Sequence, residues 1–233
     1  LPISDDALKL VRESGITVLM GAPTMLLDLL NRDDTTAEDF GAIANLSAGG
    51  ADTPALLHEL YRHKAPAGLA GAGWGLTESG GTGAAFTGHF MHERPGASGF
   101  PSPIMEFSFR SEDGATLPQG TPGEIWVRSA ATISGYASGD DGLTQFEDGW
   151  LQTGDIGYID EEGLLYICGR AKDMVLRGGE NIYPSEVEAM LLKHPDCLEA
   201  AVVALPDDAL GEVPGAVLRL SEQGLADETA FTA

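Results

Sequence analysis

The feature that most restricts the fold of this chain is a repeated unit: a short apolar run, a glycine-bearing turn, and a helix with proline in its first turn. Ile16 to Met20 is such a run, with β-branched residues, and Gly21-Ala22-Pro23-Thr24 leads from it into a helical stretch over Met25–Asn31. Ile43 to Leu46 is a second run, ended by Ser47-Ala48-Gly49-Gly50, and Thr53-Pro54 opens a helix to about His63. Proline is tolerated there because the first N–H groups of a helix lack partners in any case. Ahead of both units, Asp5 to Ser14 has helical spacing through Ala7, Leu8, Leu10 and Val11, and stops at Gly15. Strands alternating with helices pair in parallel, because a parallel pair needs a long crossover. The expectation is a parallel sheet covered by helices, with Ile16–Met20 as a buried strand.

The pattern then changes. Gly68 to Gly88 is rich in glycine, alanine and threonine and has neither helical nor strand periodicity. From Gly99 to Arg170, short strand candidates (Met105–Arg110, Glu124–Ser129, Gly154–Asp160, Leu164–Cys168) are separated by Asp/Gly turns such as Glu112-Asp113-Gly114 and Asp148-Gly149. That spacing suits a small β-barrel or a meander. After Arg170, Tyr183-Pro184-Ser185-Glu186 starts a helix through about Lys193. Ala200–Leu205 and Ala216–Leu220 read as strands, and Asp227-Glu228-Thr229 as the first turn of another helix.

Charge excludes one large class of partner. Thirteen lysines and arginines against 36 acids give a net charge of −23, which repels a phosphate backbone at long range, so nucleic acid is not expected. No apolar run approaches the roughly 20 residues that cross a bilayer. Leu1-Pro2-Ile3-Ser4-Asp5-Asp6 is not the basic start of a signal peptide. Cys168 and Cys197, the two cysteines, cannot build a disulfide framework and read as small buried hydrophobes of a cytoplasmic protein. His58, His63, His89, His92 and His194 show no metal-ligand spacing.

Three segments carry groups suited to chemistry. Gly73-Trp74-Gly75-Leu76-Thr77-Glu78 offers close backbone approach, a flat apolar face, a hydroxyl and a carboxylate for a hard cation. It could equally be a tight loop. Asp155, in Asp148-Gly149-Trp150-Leu151-Gln152-Thr153-Gly154-Asp155, falls between a turn and a strand; its carboxylate could accept from two hydroxyls or from its own backbone. Gly169-Arg170-Ala171-Lys172-Asp173-Met174 leads to Arg177-Gly178-Gly179-Glu180-Asn181-Ile182-Tyr183-Pro184, which reads as an interdomain hinge or as a solvated linker.

Together and in this order, the three segments resemble the adenylate-forming enzymes: acyl-CoA synthetases, aryl-CoA ligases, luciferases and peptide-synthetase adenylation domains. Gly21-Ala22-Pro23-Thr24, Ser47-Ala48-Gly49-Gly50-Ala51 and Gly123-Glu124-Ile125-Trp126-Val127 extend the resemblance along essentially the whole chain. It implies an α/β fold. Residues 1–95 would form the α/β part of a large AMP-binding domain and 96–169 a barrel-like part. Residues 170–181 would be a hinge, and 182–233 the start of a small α+β domain. It implies ATP or AMP, Mg²⁺ and coenzyme A as cofactors and a carboxylic acid as substrate. By the resemblance, Gly49, Gly50 and Ala51 lie against adenine, with Trp74 and Gly75 beside them. Trp74 stacks on the ring where tyrosine is commoner. Thr77 touches the α-phosphate, Glu78 binds Mg²⁺, Asp155 and Arg170 hold the ribose, and Ile167 packs near the base. Lys172 is the pivot of domain rotation. Gly178 and Gly179 lie beside the pantetheine arm, in a run typical of acyl- and aryl-CoA ligases.

Two family elements have no match: a phosphate loop with its lysine, expected before Leu1, and a catalytic lysine, expected after Ala233. The expectation is a chain cut at both ends and inactive alone, within an acid–CoA ligase for a fatty or aryl acid. The alternatives are an enzyme loading a carrier protein and a non-catalytic nucleotide-binding relative. Ala72, Gly73, Gly80 and Gly81 leave room that favours an acyl chain or ring over acetate. Met20, Met25, Phe86 and Phe90 could line that pocket or belong to the core.

Overall fold

The structure, a computed structural model, describes residues 5–50, 53, 55–81, 83–88, 93–94, 96–136 and 146–221. Ala51, His89, Phe90, His92 and the helix turn expected at 227–229 lie outside them.

Helix α1 (Asp5–Glu13) precedes β1 (Val18–Gly21), α2 (Pro23–Leu30), β2 (Asn45–Gly49), α3 (Ala55–Lys64) and β3 (Leu69–Gly75). The expected parallel order holds: β1 pairs with β2 and β2 with β3, all parallel, with α2 and α3 as crossovers. Leu26, Leu29 and Leu30 of α2 and Leu57 and Tyr61 of α3 pack on Leu46, Ala48 and Ala70. The opposite face carries Val18, Met20 and Leu69, all more than half exposed. Ile16–Met20 is therefore not a fully buried strand. Its apolar run suits a sheet covered on both faces, and the described helices cover one.

The Gly/Ala-rich stretch after Gly68 folds as β3 and β4 (Gly83–Thr87), which pair antiparallel from Gly71↔Thr87 to Gly75↔Gly83. Over Ala70–Gly73 and Gly83–Ala85 these strands have no bulky side chains to show an alternating pattern, so their pairing is decided by neighbouring strands. The sheet continues through β5 (Ala97–Pro101), β10 (Leu165–Arg170), β9 (Trp150–Ile159), β7 (Gly123–Arg128) and β6 (Glu106–Arg110), with the short β8 (Phe146–Glu147) on β9. Among the described residues ten strands form one sheet, with β6 at the end of its main path. A second core of Met105, Phe109, Ile125, Val127, Leu151 and Leu165 lies under this part. On its other face, the Arg110 guanidinium sits 4.0 Å from the Trp126 ring centre and that of Arg128 4.6 Å from Trp150. These cation–π contacts cover aromatic surface that the edge would otherwise expose.

β9 begins at Trp150, four residues earlier than the sequence suggests, so Asp155 lies within a strand instead of between a turn and a strand. After Arg170 comes a 3-10 turn (Ala171–Asp173), then the hairpin β11 (Val175–Arg177) and β12 (Glu180–Ile182). Residues 175–181 of the stretch read as a hinge form this hairpin, part of a second sheet that has four strands among the described residues, ordered β12-β11-β14-β13. Helix α4 (Pro184–Leu191) and the long hairpin β13 (Cys197–Asp207) and β14 (Gly211–Leu220) complete it.

Ile125 is fully buried in β7, so Ile125→Ala is expected to cost about 2–5 kcal/mol in urea unfolding, through lost burial and a cavity. Arg12 Nε lies 2.7 Å from Asp39 Oδ1, and this hydrogen bond is the main cause that lowers the Asp39 carboxyl to about 2. The folded value lies below the unfolded one. The pair's contribution is therefore complete above about pH 4 and disappears as the pH falls through about 2. Asp39→Asn should lose that acid dependence in a pH-jump unfolding series.

Candidate functional site

β2 and β3 run side by side in register, Ala48 opposite Ala72 and Gly49 opposite Gly73. Their carboxyl ends therefore deliver Gly49-Gly50 and Trp74-Gly75 to one rim. In open α/β sheets that rim is where ligands bind. Gly49, Gly50 and Gly75 are exposed there. The chain then tightens into a 3-10 turn, Thr77–Ser79. Fully buried Ser79 closes it: its hydroxyl accepts from Leu76 N–H at 3.1 Å and donates to Leu76 C=O at 3.0 Å. The turn presents an exposed Thr77 and a half-buried Glu78.

Asp155 faces this rim because both neighbouring pairings are irregular. β7 steps from Glu124 to Trp126 while β9 runs from Ile156 back to Gln152, and β10 skips a residue between Ile167 and Gly169. Gly154 supplies the φ of +72° that the first bulge needs. Bulges re-aim side chains, and here the result is a buried carboxylate. The Asp155 side chain is 6% exposed. Arg170 Nε forms an ion pair with Oδ1 at 2.7 Å, and Trp74 Nε1–H donates to Oδ2 at 2.7 Å. Asp155 N–H reaches Thr153 Oγ1 at 3.1 Å, and that hydroxyl donates to Ile125 C=O at 2.7 Å. A buried charge is tolerated only with such partners.

The structure thus joins three sequence candidates, Trp74, Asp155 and Arg170, by one hydrogen bond, spanning 81 residues between Trp74 and Asp155, and one ion pair. No local pattern announces the Trp74–Asp155 bond. The Trp74 ring lies tilted against Phe107, 5.9 Å between centres. It also passes over Gly83, where a Cβ would stand 2.6 Å from Trp74 Cε3, so only glycine fits. Ile167, half-buried on β10, lines a cavity of about 340 Å³ with Gly73 and Tyr166, closed on another side by Ser185 and Glu186 of α4. The Ser185 hydroxyl donates to Cys168 C=O and ties α4 to β10.

Lys172 is exposed in the 3-10 turn after Arg170, while Gly178 and Gly179 form the exposed tip of the β11–β12 hairpin. Gly178 and Gly179 lie in the second sheet, whereas the turn of Lys172 adjoins β9, the strand of Asp155. Among the described residues no cluster of three or more His, Cys, Asp or Glu could hold a metal. A cation at Glu78 would have one protein carboxylate and would draw its other ligands from phosphates and water, which suits Mg²⁺. Sequence reasoning missed Ser79, Thr153 and Tyr136. The Tyr136 hydroxyl donates to Glu78 Oε1 at 2.5 Å, and Ile133 N–H to Glu78 C=O at 2.8 Å.

A family model described as AMP-binding enzyme matches residues 2–137, and one described as AMP-binding enzyme C-terminal domain matches residues 186–232. The 2-succinylbenzoate–CoA ligase of Bacillus cereus (strain Q1) is 34% identical over 222 residues, 94% of this chain and 45% of that protein. The o-succinylbenzoate CoA synthetase of Bacillus subtilis, solved with its acyl-adenylate intermediate, superposes with a TM-score of 0.80 at 32% identity, over 99% of this chain and 48% of that one. An amide bond synthetase from Marinactinospora thermotolerans gives a TM-score of 0.81 at 31% identity, over 94% and 44%. The chain spans about half the length of the relatives it matches.

Asp155→Ala is expected to strand the Trp74 N–H and cost about 1–3 kcal/mol. The half-exposed Arg170 adds little to that loss. Urea unfolding followed by tryptophan emission measures it.

Proposed function

The chain belongs to the AMP-binding enzyme family, and from that premise we propose that it serves an ATP-dependent, AMP-forming acid–thiol ligase. The acid's carboxylate attacks the α-phosphate of ATP, the acyl-adenylate forms and pyrophosphate leaves. A thiol then attacks the acyl carbon and AMP leaves. The observation that carries the reading is the buried Asp155 carboxylate, held by Trp74 and Arg170. It stands in the same chain as the exposed glycines at the carboxyl rim of β2 and β3. A buried, pre-oriented carboxylate suits the two hydroxyls of a ribose.

In this reading Asp155 and Arg170 hold the ribose, and Gly49, Gly50 and Gly75 let the base approach the backbone. Ile167 packs near the base. Trp74 does two things: its N–H orients Asp155, and its half-exposed ring offers a surface to adenine. Thr77 contacts the α-phosphate from the tip of the 3-10 turn. Glu78 holds Mg²⁺, which when bound neutralises phosphate charge. Lys172 is the pivot about which the second sheet turns between the two half-reactions, and Gly178 and Gly179 give passage to the pantetheine arm of CoA. Ala51 would complete the adenine edge, although it lies outside the described residues.

CoA is the acceptor best supported, because the curated relatives are CoA ligases. An amide bond synthetase of equal structural likeness keeps another acceptor, including a carrier protein, as the second reading. Of the fatty and aryl acids expected, the aryl acid is better supported, since 2-succinylbenzoate is the relatives' acid. The small residues Ala72, Gly73, Gly80 and Gly81 suit a ring or chain over acetate. An ATP- and CoA-consuming reaction also fits the expected cytoplasmic location.

Phosphate binding needs positive charge that this acidic chain supplies sparingly. Arg170 is already engaged by Asp155, and no phosphate loop with a lysine stands in the sequence. The isolated chain is expected to show no ATP–pyrophosphate exchange. The full-length gene product is expected to release AMP with an aryl acid and to form a thioester when CoA is added. AMP release without thioester would move the acceptor to a carrier protein, and no AMP release with any acid would sink the ligase reading.

A further inference from the structure

One segment with no assigned role converges on Glu78 from outside the site motifs. Residues 129–136 follow β7 and pass beside the 3-10 turn. Ile133 N–H donates to the Glu78 carbonyl at 2.8 Å, and the backbone of Ala131 lies against Gly80, whose Cβ position is 3.2 Å from the Ala131 carbonyl oxygen. Three residues beyond Ile133, the Tyr136 hydroxyl donates to Glu78 Oε1 at 2.5 Å, across 58 residues of sequence. The same short segment therefore holds both the backbone and the side-chain end of Glu78. Oε2 takes no hydrogen bond among the described residues.

A glutamate has three rotatable side-chain bonds, and fixing them for a cation costs entropy at the moment of binding. A phenol donating to one carboxylate oxygen removes most of that freedom beforehand. A hydrogen bond from a neutral hydroxyl to a carboxylate is also among the stronger kinds. Groups that orient a metal-binding carboxylate in this way typically matter to metal affinity by 10–100-fold.

We propose that Tyr136 is a positioning residue for Glu78. Its hydroxyl engages one carboxylate oxygen and so orients the other toward the divalent cation that accompanies ATP. This rests on the reading of Glu78 as the cation's ligand.

The test uses the full-length gene product and Mn²⁺ as a spectroscopic stand-in for Mg²⁺. Mn²⁺ affinity is measured by electron paramagnetic resonance with ATP present, for the natural protein, Tyr136→Phe and Glu78→Gln. Metal-free ATP affinity and the thermal midpoint are followed alongside. The expected result is about tenfold weaker Mn²⁺ binding in Tyr136→Phe, a loss at least as large in Glu78→Gln, and unchanged metal-free ATP affinity. Weakened binding in Glu78→Gln alone would overturn the role of Tyr136 and leave that of Glu78 standing. Unchanged binding in both would overturn the reading of Glu78 beneath it. If Tyr136→Phe lowers metal-free ATP affinity and the thermal midpoint in step with Mn²⁺ binding, Tyr136 is only a strut and the proposal fails.

Discussion

A carboxylate removed from water must be held by donors that replace its hydration, and the geometry of the site depends on how that is met at Asp155. Its two oxygens take a guanidinium from β10 and an indole N–H from β3. Arg170 sits on β10 directly opposite Asp155, whereas the indole comes from β3, beyond β4 and β5, so satisfying one charge ties β9 to the parallel part of the sheet. Removing either donor leaves a costly buried charge, whereas the exposed pairs of Arg94 with Glu162 and Arg219 with Glu199 add little. The bulges on both sides of Asp155 follow from the same requirement. A regular strand alternates its side chains between two faces, and the re-aiming here uses an interrupted register.

Small residues make this arrangement possible. Trp74 can reach across to Asp155 because Gly83 on the paired strand has no side chain where the ring lies. The rim at Gly49-Gly50 and Gly75 leaves backbone open for a flat ligand. The same economy of side chains that makes β3 and β4 unreadable as strands also opens the site. The 3-10 turn then relies on Ser79 and on the segment at 129–136 to hold Thr77 and Glu78 in place. Precision at an exposed turn comes from such supporting contacts more than from the turn itself.

The strand–turn–helix units were legible because bulky β-branched runs and early prolines act locally, and the parallel order of β1, β2 and β3 follows from them. The strand pair after Gly68 was not legible, because Ala70, Gly71, Ala72 and Gly73 give no alternating signal and take their conformation from neighbours. The early start of β9 was hidden for a similar reason: Trp150-Leu151-Gln152-Thr153 follows an Asp-Gly turn, and its pairing with β7 lies far off in sequence. The hairpin at Val175–Ile182 was masked by its charges and glycines, which suit a linker as well as a tight turn.

The sequence by itself determined the family, the parallel half of the sheet, and which residue types are offered at each candidate position. These depend on patterns within a few residues, where backbone sterics and side-chain size decide. Only the tertiary structure decided that Trp74 bonds Asp155, that Tyr136 bonds Glu78, and that the antiparallel strands join the parallel ones as one sheet. Each of those depends on groups distant in the chain meeting within about 3 Å, and hydrogen bonding at that range leaves no trace in local periodicity.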